Sequence, residues 1–195
     1  TRELPAPVGE FQEAYWKSSR NDPEWLVHSG GEISLLAGNY VSVDTSQGRD
    51  STFILPIDAM DGDTIVVKDI GGNTGYAKVQ FNSLALLINL DNAKSNSVYM
   101  SIPFSEYVFV FNNRMWNLHI TSHRPTLLEV NTTDVHRIQS GQRLIRTYLA
   151  NKAITLQLPK HANHNDIIEI VDTSITSSIR HLTITAFEGT SIGRS

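Results

Sequence analysis

The sequence predicts a mainly β protein, with two tandem small antiparallel β-sandwich or barrel modules preceded by an aromatic leader segment. The first observation behind this prediction is an internal repeat. Residues 52–69 recur at 155–172, a shift of 103 positions that superposes Pro56 on Pro159 without a gap. Short segments also alternate between apolar and polar residues, which is the period of a strand. Frequent Val, Ile and Thr favour strands further. A repeat of this length indicates copies of one folding unit.

Composition limits the possible partners. The chain has 195 residues, with 20 acidic and 16 basic side chains and a net charge of -4. No run of Lys or Arg offers the clustered positive surface that nucleic acid requires. The sequence has no cysteine, which excludes disulfides and thiolate chemistry. No apolar run is long enough for a membrane span. We therefore predict neither a nucleic-acid nor a membrane partner.

Residues 1–30 form the predicted leader or linker. Its large aromatic residues are Phe11, Tyr15, Trp16 and Trp25. A short helix between residues 9 and 17 would place two of them one turn apart. Because so short a segment has no core of its own, we predict that these aromatic residues pack on a neighbouring domain or subunit. The open alternative is a partly disordered leader, as chain termini often are.

The first predicted module, residues 31–123, contains alternating segments whose inward residues carry odd numbers as far as Phe81. These residues are Phe53, Leu55, Ile65, Val67, Ala77, Val79 and Phe81. One buried and one solvated face are typical of antiparallel sheet. Residues 71–75 are rich in glycine, but strand residues rather than a helix follow them. We therefore interpret them as a plain hairpin turn and not as a phosphate-binding loop.

A closing hairpin is predicted at residues 107–120, with its turn at 112–114. Its aromatic residues are Tyr107, Phe109, Phe111 and Trp116. They could form a platform for stacking sugars, or they could belong to the core or a subunit interface. The alternation assigns one face inward and so favours the core or an interface.

The second predicted module, residues 124–195, matches the first from Thr155 onward. The counterpart of Ile120, 103 positions further on, would be residue 223. We therefore expect this module to be truncated at its C-terminal end and a larger parent protein to continue.

No catalytic residue, cofactor or metal site is predicted. His161, His164 and Asp166 have a spacing that metal ligands can have. However, the same loop of the first copy, residues 58–63, contains no histidine and reads as an exposed turn between strands. A metal-dependent enzyme at these two histidines is therefore only a third possibility.

Several segments together carry a resemblance to a known family. They are residues 40–46 (YVSVDTS), 53–56 (FILP), 62–67 (GDTIVV), 79–81 (VQF) and 104–116 (FSEYVFVFNNRMW), with 182–186 (LTITA) and 189–193 (GTSIG) in the second copy. This pattern resembles the N-terminal adaptor modules of phage tailspikes. It is also similar to the baseplate wedge protein of T-even phages that carries the short tail fibres. The likeness covers about residues 30–195.

The resemblance implies a structural protein of the phage virion and not an enzyme. It implies a homotrimeric adaptor that anchors or recruits other tailspikes, tail fibres or baseplate proteins by docking. Any receptor-binding or catalytic domain would then follow Ser195. The alternative function is a carbohydrate-binding or glycan-cleaving β-domain that acts on host surface polysaccharide.

Overall fold

A computed structural model describes residues 23–121, 127–129, 135–146, 154–163, 165–172 and 182–187. All regular structure within these ranges is strand, which confirms the mainly β prediction. None of these residues belongs to a helix long and apolar enough to cross a membrane. The predicted helix at 9–17 lies outside the described residues.

The described strands fall into two groups. The first strand set contains β1 (Trp25–His28), β2 (Gly31–Ser34), β3 (Tyr40–Val43), β4 (Ser51–Leu55), β5 (Thr64–Asp69), β6 (Val79–Ser83), β7 (Leu87–Leu90), β8 (Ala93–Ser95), β9 (Ser97–Tyr99), β10 (Glu106–Asn112) and β11 (Met115–Thr121). The second strand set contains β12 (Leu127–Glu129), β13 (Val135–Arg137), β14 (Arg143–Arg146), β15 (Ile154–Gln157), β16 (Glu169–Asp172) and β17 (Leu182–Thr185). Strand β1 lies within the predicted leader.

Each strand set contains two sheets, and the chain passes back and forth between them. In the first set, a sheet of order β1-β3-β5-β10-β11-β7-β8 accompanies a sheet of order β2-β4-β6-β9. In the second set, the sheets have the orders β12-β14-β16 and β13-β15-β17. One cluster of buried side chains contains residues from both sheets of the first set. In the second set, Ile154 and Leu156 of β15 are buried, and the partly buried Ile170 of β16 packs against them.

The prediction of antiparallel modules was wrong for most of the strand pairs. Strands β1, β3 and β5 are parallel, as are β2, β4 and β6 and all described pairs of the second set. Antiparallel pairing is confined to β5–β10, β10–β11, β6–β9 and β7–β8. Alternation reports that one face of a strand is buried, and it is the same for either strand direction. Residues 71–75 therefore connect β5 to β6 in the other sheet and do not form a hairpin turn.

The closing hairpin is confirmed as β10 and β11. Phe111 pairs with Trp116, and Asn112 with Met115. The two turn residues between them, Asn113 and Arg114, have positive φ angles of 53° and 61°. Positive φ at both central residues is the mark of the type I′ turn, whose twist matches that of the strands.

The core confirms the predicted inward face. All seven odd-numbered candidates are buried. The ring of Phe81 lies 5.2 Å from that of Phe53, 6.0 Å from Tyr107 and 4.7 Å from Phe109, measured between centroids. The hairpin aromatics Tyr107, Phe109, Phe111 and Trp116 are also buried. They therefore belong to the core and present no stacking surface to a sugar.

The internal repeat extends to the strand pairing. Ser51 pairs with Val79 in the first set, and Ile154 pairs with Leu182 in the second, a shift of 103 positions for both partners. Upstream of Thr155, where the sequence gives no match without gaps, the pairing shows the same shift. Tyr40 pairs with Val66 and Arg143 with Glu169.

Turn geometry repeats with the same shift. The amide N–H of Met60 donates to the Asp63 carboxylate at 2.8 Å, and the amide N–H of Asn163 donates to the Asp166 carboxylate at 2.8 Å. Asp166 is thus a turn residue, as predicted from its partner Asp63, and it lies three residues before β16. The φ angle is 97° at Gly62 and 70° at the equivalent Asn165. Glycine and asparagine are the residues that adopt this conformation most readily.

We expect Phe81→Ala to lower the free energy of unfolding by about 3–5 kcal/mol, because it removes the ring at the centre of the first core. Urea denaturation followed by circular dichroism measures this change. Met60→Ala is the control, because Met60 is 72% exposed. Its effect should stay within about 0.5 kcal/mol. Similar losses in the two variants would contradict the assigned core.

Candidate docking surfaces

The described part of the chain contains no cluster of metal-ligating side chains. Among these residues, no group of three or more His, Cys, Asp or Glu is placed to hold a metal ion. His164 lies outside the described residues. The ring of His161 packs on Tyr99, with 5.5 Å between centroids. What the fold builds instead is a set of contacts between the two strand sets.

A buried carboxylate organises the loop that makes the main contact. Asp69 ends β5 and is 1% exposed. It accepts hydrogen bonds from the Thr45 hydroxyl at 2.7 Å, from the amides of Gly71 and Gly72 at 3.0 and 2.9 Å, and from the Phe104 amide at 2.8 Å. A buried charge requires such donors, since losing its hydration is costly. These bonds fix the start of the glycine loop, which we define as residues 71–76.

Close packing explains two of the glycines in this loop. A Cβ atom at Gly71 would lie 2.3 Å from the backbone nitrogens of Thr45 and Ser46. A Cβ atom at Gly72 would lie 2.1 Å from the ring of Phe104, and Gly72 also has a φ of 72°. Side chains at these positions would therefore displace the loop. The glycines serve packing and not anion binding.

The far end of the glycine loop contacts the second strand set through Gln139. The Gly75 amide donates to Gln139 Oε1 at 2.9 Å, and Gln139 Nε2 donates to the Gly72 carbonyl at 2.9 Å. The Gly75 carbonyl accepts from the amides of Lys160 and His161 at 2.9 and 3.2 Å. The loop is thus joined to the second strand set through its own backbone.

Tyr76 completes this contact. Its hydroxyl lies 3.0 Å from the carbonyl oxygens of both Ile138 and Gln157, to which it can donate its proton. Its ring lies 5.9 Å from the ring of Phe187, and the Arg137 guanidinium lies 5.2 Å above it. Burial raises the pKa of Tyr76 to about 12. The hydroxyl therefore keeps its proton and remains a donor at physiological pH.

A second contact between the strand sets is made by Asn163. Its Oδ1 accepts from the Tyr99 amide at 2.8 Å, and its Nδ2 donates to the Tyr99 carbonyl at 2.7 Å. The same Nδ2 lies 3.1 Å from the Ser101 hydroxyl. The side-chain amide thereby pairs with both backbone groups of Tyr99, as a neighbouring strand would.

His161 lies beside this contact in its neutral form. Burial, followed by the nearby Lys160 ammonium, lowers the pKa of His161 from its ordinary value of 6.5. Asp50 acts in the opposite direction and Lys78 in the same direction as Lys160. A positive charge on this ring is therefore disfavoured when the strand sets are in contact.

The two strand sets differ at the edge where their parallel strands end. Strands β2, β4 and β6 are followed by Leu36, Ile57 and Leu84, which are exposed and line an open groove of about 240 Å³. We call this edge the basal end. The equivalent residues of the second set, 103 positions on, are Gln139, Lys160 and Phe187. All three of these contact the glycine loop.

Of the predicted interface candidates, only Trp25 is among the described residues. It starts β1, and its ring contacts that of Tyr40 edge-on, with centroids 5.4 Å apart. Phe11, Tyr15 and Trp16 lie outside the described residues. Sequence reasoning missed Asp69, Gln139 and Asn163 as contact residues. For Gln139 and Asn163, the available signal was that a polar residue stands where the first copy has Leu36 and Met60.

Comparison with known proteins supports one class. No family model matches the chain. The chain is similar to the long-tail fiber proximal subunit of Enterobacteria phage T4, with 33% identity over 189 residues, 96% of this chain. It spans 15% of that protein's length. The sequence-based resemblance to phage tail proteins and the location in the virion tail are thereby confirmed. The likeness to baseplate and tailspike proteins in particular stays a prediction.

A solved structure described as "Structure of a chaperone-substrate complex" matches more weakly. The match covers 83% of this chain and 31% of that chain, with a TM-score of 0.40 and 19% identity. A likeness at this level carries no argument about fold or function.

We expect Tyr76→Phe to weaken the contact between the strand sets by about 1 kcal/mol, because the hydroxyl donor is lost. Hydrogen exchange at the amides of β15 and β17 measures this loss. Tyr40→Phe is the control, because Tyr40 lies in β3 of the first strand set and its ring packs on Trp25. Equal exchange in both variants would contradict the role of the Tyr76 hydroxyl.

The contact should also depend on pH through His161. Because its pKa is lowered in the folded protein, its share of the stability is complete above 6.5 and is lost as the pH falls through the folded pKa. Urea denaturation at about pH 7.5 and about pH 5.5 tests this dependence, since only histidines titrate strongly between them. His161→Gln should reduce the difference between the two pH values. His119→Gln, at an exposed position of β11, should leave it unchanged. An unaltered difference in His161→Gln would refute the assignment.

Proposed function

We propose that this chain is a structural segment of a bacteriophage tail fibre that acts as a homotrimeric adaptor. In this proposal it anchors or recruits other tail fibres, tailspikes or baseplate proteins by protein–protein docking. The observation that carries it is the similarity to a phage long-tail fiber subunit along nearly the whole chain. Docking, rather than catalysis, is the activity we assign to it.

The organisation of the described residues supports docking as the mechanism. The main contact joins a backbone loop to the end of a sheet, and the second contact pairs an amide side chain with a strand. Neither contact depends on a reactive group. We propose that residues 31–123 and 124–195 are tandem modules of one type, and that residues 1–30 lead into them. The repeated strand pairing supports this division.

We place the trimer contact at β1. This strand is the edge of the seven-stranded sheet, so one side of its backbone has no partner strand among the described residues. Trp25, Leu26 and Val27 are consecutive and exposed. Both faces of the edge strand are therefore apolar, a pattern that soluble monomers avoid because it promotes pairing between chains. Association around a threefold axis would cover this strand in every copy.

Light scattering on the full chain tests the trimer. We expect a mass about three times that of one chain at micromolar concentration, because closed symmetric association covers apolar edges. Val27→Lys should yield monomers, since a charge on an edge strand opposes association. Val27 is 74% exposed, so this substitution should lower the stability of the single chain very little.

Met60→Lys is the matched control, because Met60 is 72% exposed and belongs to the loop between β4 and β5 rather than to an edge strand. It should remain a trimer. A monomeric unaltered chain would contradict the trimer. A trimer that persists in Val27→Lys would contradict the contact at β1.

A further inference from the structure

The basal end of the first strand set is equivalent to the end of the second strand set on which the glycine loop docks. Leu36, Ile57 and Leu84 stand at the positions of Gln139, Lys160 and Phe187. In the second set these positions contact the glycine loop of the first, Gln139 and Phe187 through their side chains and Lys160 through its backbone amide. In the first set, no described residue covers them.

The surrounding backbone is the same at both ends. The amide of Leu36 donates to the Asn39 side chain at 2.8 Å, and the amide of Gln139 donates to the Gln142 side chain at 2.8 Å. Gly38 donates to the Thr64 carbonyl at 2.8 Å. Gly141 makes the equivalent bond to Ile167 at 2.9 Å. The two basal ends therefore present the same frame with different side chains.

Unused donors also mark the basal end of the first set. In the second set the amides of Lys160 and His161 donate to the Gly75 carbonyl. Their equivalents are the amides of Ile57 and Asp58, which have no partner within the described residues. A chain segment that supplies a carbonyl oxygen and apolar side chains would satisfy both the donors and the groove.

The position of β1 indicates which segment this is. Trp25 begins β1 beside Tyr40, and Tyr40 follows Leu36 by four residues. The chain therefore reaches the first strand set at its basal end. From Trp16 to Pro23 an extended chain spans on the order of 24 Å, enough to place Trp16 over the groove.

We infer that the aromatic residues Phe11, Tyr15 and Trp16 of this same chain dock on the basal end of the first strand set. They cover Leu36, Ile57 and Leu84 there, at the positions where the glycine loop contacts the second set. Three aromatic side chains within residues 11–16 offer enough apolar area to cover this groove. The leader thus contacts the first strand set at the end where the glycine loop contacts the second.

Cysteine labelling of the full chain tests this docking, because the sequence has no cysteine of its own. Leu84→Cys places a thiol in the groove, and Ile70→Cys places one after β5 at the opposite edge. Leu84 is 75% exposed and Ile70 is 47% exposed, so without the leader the thiol at position 84 should react faster with a maleimide. With the leader docked, we expect it to react about tenfold more slowly than the same thiol in urea-unfolded chain, as for a covered form in tenfold excess.

Replacing Phe11, Tyr15 and Trp16 by serine in the Leu84→Cys variant should restore fast labelling. The same replacements should leave the Ile70→Cys rate unchanged. Unprotected labelling of Leu84→Cys would overturn the inference, and so would protection that survives the serine replacements.

A disulfide experiment separates docking within one chain from docking between copies. Trp16→Cys combined with Leu84→Cys should form an intramolecular disulfide on oxidation, and Trp16→Cys combined with Ile70→Cys should not. A disulfide that joins position 16 of one chain to position 84 of another would instead identify the leader of a second copy as the occupant. That result would overturn docking by the chain's own leader. Either result is read directly on a non-reducing gel.

Discussion

The arrangement of the two strand sets depends on one buried carboxylate. Asp69 exchanges its hydration for hydrogen bonds from a threonine hydroxyl and three backbone amides, two of which belong to the glycine loop. Because a buried charge without donors is costly, the loop can hardly leave this conformation while the core is intact. The carboxylate thereby fixes a backbone shape. That shape carries Gly75 and Tyr76 to the second strand set, where they meet its sheet end.

The two copies of the internal repeat share backbone hydrogen bonds but differ in the side chains at the basal end. Backbone bonds such as that of Gly38 to Thr64, and its equivalent from Gly141, are kept in both copies. The side chains at the basal end are not kept, because leucine in one copy is replaced by glutamine in the other. A frame of backbone bonds tolerates such exchanges, since its geometry does not rest on the surface side chains. The same frame can then accept different neighbours.

The sequence permitted a good prediction of strands and core but not of sheet topology. A strand with one buried face alternates between apolar and polar residues, so Phe53 and Phe81 could be assigned to the core. The final hairpin could be predicted from two such segments separated by a short polar turn. Strand direction leaves no such mark, and neither does a loop that crosses between sheets. The burial of Asp69 could not be predicted either, because aspartate at a strand end is usually solvated. Asp172 repeats this residue 103 positions on, but the repeat marks the end of a strand and not burial.

Amide and hydroxyl groups make the hydrogen bonds described above between the strand sets. Gln139 and Asn163 each offer both a donor and an acceptor, so each pairs with backbone groups that would otherwise remain unsatisfied. Salt screens bonds between neutral groups far less than it screens exposed ion pairs. Their specificity comes from geometry, because a side chain of another shape leaves two backbone groups unpaired. A contact of this kind keeps its orientation across ionic conditions, which suits the docking function that we propose.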